Sequence, residues 1–125
     1  MLPEEEGGWL GALRDPQISR ALGLMHKQPD KDWTVASLAH EIGQSRSAFA
    51  AHFTRSVGEP PLSYLKRWRM HLAARLLEEE NLSVAQTAER VGYLTQAAFN
   101  RAFKRQYGLP PLTYRNRKHL NDLSA

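Results

Sequence analysis

With 125 residues, 42% of them hydrophobic, the chain has material for one modest core or two small lobes, and its formal charge of +4 favours a polyanionic partner over an acidic one. The absence of cysteine excludes disulfides, thiolate metal sites and a cysteine nucleophile. Its longest apolar runs fall far short of the roughly 20 residues that span a bilayer, and its start, MLPEEEGGW, is acidic where a signal peptide is basic, so the sequence reads as cytoplasmic, with no membrane partner.

Residues 1–16, with adjacent glycines, Glu4-Glu5-Glu6 and Pro16, read as a flexible lead-in or interdomain linker. From Gln17 to about Gln28, Ile18, Ala21, Leu22 and Met25 fall at helical spacing, and Pro29 ends the run. Thr34 is the expected N-cap of a short helix with Val35, Leu38, Ala39 and Ile42 inside and Gly43 as its stop. Ser45 caps the next helix, with Ala48, Phe49, Phe53 and Val57 as apolar positions and Gly58 as its stop. Helix, glycine turn and helix make a first helix-turn-helix subdomain over 17–60.

A linking helix is expected over 61–80, because Pro61 suits the first helical position and no Gly or Pro follows before Glu80. Leu65, Trp68 or Arg69, Leu72, Ala73, Leu76 and Leu77 form its apolar side. Glu78-Glu79-Glu80 then place negative charge at the negative end of the helix dipole, for which the sequence offers no reason.

A second subdomain is expected over 83–118. Ser83 and Gln86 have capping-box spacing, Val84, Thr87, Ala88 and Val91 face inward, and Gly92 ends the helix. Thr95 caps the following helix, which turns Ala98, Phe99, Ala102, Phe103 and Tyr107 inward. Gln96, Ala97, Asn100, Arg101, Lys104 and Arg105 are left outside, a surface of amides and cations of the kind that bonds base edges and phosphates. Pro110-Pro111 opens a last short helix through Tyr114, Arg115, Arg117 and Lys118 are read as contacts to a nucleic-acid backbone, and 119–125 as a tail. Between Arg90 and Lys118 stand seven basic residues and no acidic one.

The two subdomains are copies. Thr34-Val35-Ala36, Ala39 and Gly43 recur as Ser83-Val84-Ala85, Ala88 and Gly92 at an offset of 49 residues. One extra residue enters near Leu94, after which Ser45, Phe49, Phe53 and Gly58 recur as Thr95, Phe99, Phe103 and Gly108 at an offset of 50.

These residues together resemble the DNA-binding domain of the AraC-type transcription regulators, from about Trp9 to Arg117. The most specific part runs from Val91-Gly92-Tyr93 through Ala98-Phe99-Asn100-Arg101-Ala102-Phe103-Lys104-Arg105 to Gly108, Pro110 and Tyr114-Arg115. The resemblance implies an all-α fold of seven helices, two helix-turn-helix subdomains on one linking helix. Ser45 to about Val57 and Thr95 to about Tyr107 become recognition helices in adjacent major-groove segments of promoter DNA. The family's reading positions fall on Arg46, Ser47, Ala50 and Ala51, and on Gln96, Ala97, Asn100 and Arg101; Arg46, Thr54 and Arg55 are expected at phosphates. A basic residue is common in the family at or next to Ala51, whereas this chain has Ala51 and then His52. Double-stranded DNA is the expected partner, with RNA polymerase as a further one. The ligand-binding and dimerisation domain that many members carry ahead of this domain is not in this chain.

His26, His40, His52, His71 and His119 show no metal-ligand spacing, so no metal or cofactor is expected. No phosphate loop, nucleophile elbow or catalytic carboxylate pair supports an enzyme. The competing reading is a small helical protein-interaction module without DNA specificity, docking through Glu78–Glu80 or its apolar helices.

Overall fold

The computed structural model describes residues 14–79 and 82–124, so 1–13, the first part of the expected lead-in, and Glu80 of the expected linking helix lie outside the described residues. Among these residues the chain is all-α, with seven helices and no strand. The helices are α1 (Pro16–Lys27), α2 (Val35–Glu41), α3 (Arg46–Val57), α4 (Pro61–Glu79), α5 (Val84–Arg90), α6 (Gln96–Tyr107) and α7 (Pro111–Ser124). Two compact units meet inside α4, between Lys66 and Arg67.

In the first unit α1 begins one residue before the expected Gln17. The Asp15 carboxylate accepts from the N–H groups of Gln17 at 3.0 Å and Ile18 at 3.2 Å, and Pro16 takes the first helical position. Asp15 and Pro16 thus belong to α1 rather than to the lead-in. Thr34 caps α2 through a reciprocal pair of 2.9 Å bonds with Ser37, and Ser45 accepts from the Ala48 N–H to cap α3. Gly58 closes α3 at φ +96°, a left-handed conformation that a side chain would strain, and its N–H bonds the Thr54 carbonyl. Ile18, Met25, Leu38, Phe49, Phe53 and Leu65 are fully or almost fully buried in this unit. Trp33 is core, as expected, and its indole N–H donates to the Gln28 carbonyl at 2.9 Å.

The second unit repeats the design. Ser83 and Gln86 form the expected capping box, Thr95 accepts from the Ala98 N–H, and Gly108 closes α6 at φ +78°. Even the turn is copied, since Gln44 N–H bonds the Ala39 carbonyl and Tyr93 N–H bonds the Ala88 carbonyl. The inserted Leu94 therefore follows the shared part of the turn, and it is fully exposed. Phe99 and Phe103 are completely buried with Met70, Ala73, Leu77 and Val91. Phe103 meets Tyr107 at 4.7 Å and Tyr114 at 5.3 Å between ring centroids, so one aromatic stack joins α6 to α7.

Several positions depart from the sequence reading. On α4, Tyr64, Met70 and Ala74 are buried although the wheel passed them over, while Trp68 and Leu72 are only half-buried. A helix shared by two units buries more than one stripe. Ala48, expected inside α3, is exposed, because Phe49 and Phe53 alone carry that helix's buried face. The last helix does not stop at Tyr114 but continues to Ser124, across most of the expected tail.

The extra length of α7 explains the acidic end of α4. Arg115 Nε donates to the Leu77 carbonyl at 3.3 Å, Lys118 pairs with Glu78 at 3.4 Å, and Arg75 pairs with Glu79 one turn away at 3.5 Å. Cations thus reach the negative helix end and the carboxylates beside it. Arg115 and Lys118, read from sequence as contacts to a nucleic-acid backbone, are engaged within their own unit. Tyr114, also bonded to Glu78, has its phenol pKa pushed up to about 12 by burial and by that carboxylate.

Candidate nucleic-acid interface

The second helix of each unit turns its phenylalanines inward and leaves its opposite side bare. On α6, Phe99 and Phe103 are buried, whereas Gln96, Ala97, Arg101, Lys104 and Arg105 are exposed. Arg101 and Lys104 form no ion pair among the described residues. On α3, Phe49 and Phe53 are buried, whereas Arg46, Ser47, Ala51, Thr54 and Arg55 are exposed and Ala50 is half-buried. Arg46 and Arg55 likewise form no ion pair among the described residues. Each N-terminus is presented by a Ser or Thr cap on a turn of matching hydrogen bonds, so α3 and α6 are held in the same way by different units.

The profile of a helix-turn-helix domain family matches residues 38–117. The transcriptional regulator AlkR of Acinetobacter baylyi is 45% identical over 112 residues, which make up 90% of this chain and 37% of AlkR. An AraC-like transcription regulator of Streptomyces lividans is 48% identical over 113 residues, again 90% of this chain and 37% of the relative. The solved DNA-binding domain of AdpA, crystallised with a target DNA, superposes with a TM-score of 0.83 at 29% identity, covering 89% of this chain and 99% of that one. The C-terminal domain of AraT, a response regulator from Geobacillus stearothermophilus, gives a TM-score of 0.78 at 33% identity, covering 82% and 86%.

The chain belongs to the AraC-type helix-turn-helix family. It spans about 37% of the length of the curated relatives it matches. The family is one of DNA-binding transcription regulators, not of enzymes. Among the described residues no helix is long and apolar enough to cross a membrane, and no group of three His, Asp or Glu side chains is placed to hold a metal ion.

In this AraC-type domain two polar side chains of α3, Thr54 and His52, are committed within the domain. The Thr54 hydroxyl donates to the Ala50 carbonyl of its own helix at 2.8 Å. His52, noted in the sequence only as following Ala51, turns away from the exposed face. Its Nδ1 accepts from Gln44 Nε2 at 3.1 Å, which leaves the ring proton on Nε2 to donate to Asp15. Gln44 Nε2 also donates to Gln17 Oε1, and Gln17 Nε2 to the Ile42 carbonyl. This chain of bonds ties the cap of α1, the end of α2, the turn and α3 together. Burial raises the Asp15 pKa, but the hydrogen bonds from His52, Ile18 and Gln17 outweigh it and hold the carboxyl below its ordinary value. Sequence reading missed this network because all of its bonds but Gln44–His52 join residues 25 to 37 apart.

Asn100 also differs from its expected place. It sits half-buried at the margin of the α6 face, with Oδ1 enclosed and without a hydrogen-bond partner among the described residues. The residues that α6 brings together on its open side are thus Gln96, Ala97, Arg101, Lys104 and Arg105.

Proposed function

We propose that this domain binds double-stranded DNA sequence-specifically, with α3 and α6 each entering a major-groove segment of one promoter site. The observation that carries the reading is the open face of α6, where Gln96 and Arg101 stand among Lys104 and Arg105 opposite two buried phenylalanines. Arginine bonds the O6 and N7 of guanine, glutamine bonds adenine, and both cations bond phosphate. Arg46, Ser47 and Arg55 supply the corresponding contacts from α3, Ala50, Ala97 and Thr54 complete the set of DNA-facing positions, and Asn100 stands at the margin of that set. AdpA, the AraC-type relative crystallised with DNA, supports the reading because its DNA-binding domain aligns along 89% of this chain.

The same reading places the protein in the cytoplasm at promoters, with RNA polymerase as a protein partner and a ligand-binding domain as a further part of the full regulator. Its support is the family and the greater length of the relatives.

The test is affinity for duplexes selected from random sequence by the domain, measured across salt. Binding should fall steeply, with a log–log slope of about −0.9 for each phosphate neutralised. Affinity for all duplexes alike, or affinity indifferent to salt, would overturn the proposal.

A further inference from the structure

The two helices offer different chemistry to a groove. Between Arg46 in the first turn of α3 and Arg55 in its last, about 14 Å apart along the axis, the exposed or half-exposed side chains that could reach a base are Ser47, Ala48, Ala50, Ala51 and Thr54. Thr54 has spent its hydroxyl proton on the Ala50 carbonyl, and His52 is tied to Asp15 and Gln44. Three alanine methyls, the Thr54 methyl and one serine hydroxyl with its proton uncommitted are what remains. The matched positions on α6 hold Asn100 for Ala50 and Arg101 for Ala51.

We infer that α3 reads thymine, through apolar contact of its alanine methyls with thymine C5-methyl groups, while its two terminal arginines hold the flanking phosphates. The inference rests on the DNA binding proposed above and names what the first reading helix selects. Thymine is the one base that presents an apolar group in the major groove, and an alanine face has nothing to offer the donors and acceptors of the other bases. Short side chains also allow the helix to approach the groove floor closely, which brings the methyls into contact. Base preference under α3 is then a preference for thymine, whereas under α6 it is set by hydrogen bonds from Gln96 and Arg101.

The experiment uses the best duplex selected by the domain, with each thymine replaced singly by deoxyuridine, which lacks only the methyl. Because the chain has no cysteine, an iron chelate carried by a Ser56→Cys variant, at a position half-exposed in the last turn of α3 and outside the DNA-facing set, cleaves the DNA beside α3 and marks its segment. Each contacted thymine in that segment should lose about fourfold in affinity on demethylation, the value of burying one methyl-sized group. Thymines under α6 should lose less than twofold, apart from one beside Ala97. Ala51→Arg, at an exposed position, should abolish the deoxyuridine effect at one base pair and shift preference there toward guanine. If the segment cleaved beside α3 holds no selected thymine, or if deoxyuridine changes nothing while salt-dependent duplex binding persists, the inference falls and the proposed function stands. Loss of salt-dependent duplex binding altogether would instead remove the proposed function.

Discussion

Ala73 is completely buried on α4 beside Met70, Leu77, Phe99 and Phe103, so Ala73→Glu tests the core on which α6 rests. The larger side chain overpacks the site, at about 1–3 kcal/mol. Its carboxyl meets no polar partner in that cluster, so it stays neutral, and holding it neutral at pH 7 against an ordinary pKa near 4.3 costs about 4 kcal/mol. Roughly 5–7 kcal/mol in all is comparable with the 5–15 kcal/mol that holds a whole domain together. The second unit should therefore be unfolded at pH 7. The charge component has a sign of its own: the folded pKa is raised, so the penalty is absent below about pH 4.3 and grows as pH rises above it. Far-UV circular dichroism melts at pH 7 and pH 4.5 should show a collapsed transition in the first and partial recovery in the second. Leu112→Glu, at a position 54% exposed on α7, is the control and should change little. A Tm for Ala73→Glu within error of the parent at pH 7 would refute the packing, and a low Tm with no recovery in acid would refute the charge argument.

Lys118→Ala removes the pairing of α7 with Glu78 and should lower stability by less than about 1 kcal/mol, because the pair is half-exposed; urea melts check this, and a similar loss of DNA affinity at every sequence would return Lys118 to the phosphate contacts. Asp15 has a lowered pKa, so its contribution to stability is full above about pH 4 and is lost as pH falls through the folded value. Asp15→Asn should accordingly be less stable at neutral pH and should lack that acid slope in melts between pH 5 and pH 2. Tyr114 titrates at about 12, so its contribution is full below about pH 10 and is lost as pH rises toward 12; Tyr114→Phe should flatten that alkaline limb. Lys104→Ala, if Lys104 holds a phosphate, should weaken all duplexes alike and reduce the salt slope by about 1.

The caps and stops were legible in the sequence because they are local. Thr34, Ser45, Ser83 and Thr95 each cap the helix expected of them, and the glycines that stop α3 and α6 take left-handed backbone. The buried pairs Phe49–Phe53 and Phe99–Phe103 followed from helical spacing and fixed which sides of α3 and α6 stay open. What was not legible depends on distant partners. The end of α7 carries no glycine or proline stop, so 119–125 reads as a tail, and Arg115, Arg117 and Lys118 read as contacts to a nucleic-acid backbone because the Leu77 carbonyl and Glu78, which engage Arg115 and Lys118, are distant in sequence. Tyr64, Met70 and Ala74 are buried because α4 serves two cores, which a single stripe cannot describe. Asn100 lies at the border of its helix face, where a wheel assigns a side but not the burial of one oxygen atom.

The most direct measurement of the central claim is the affinity of the parent domain and of Arg101→Ala for the selected duplex and for its full set of single-base variants. A bidentate contact from arginine to a base edge is worth about 1–3 kcal/mol of discrimination. The variant should lose roughly fivefold to 150-fold on the selected duplex and relax its preference at one or two base pairs, with the remaining positions read as before. A uniform loss across all variants would make Arg101 a phosphate contact, and no loss on any of them would contradict the reading of α6 as a recognition helix.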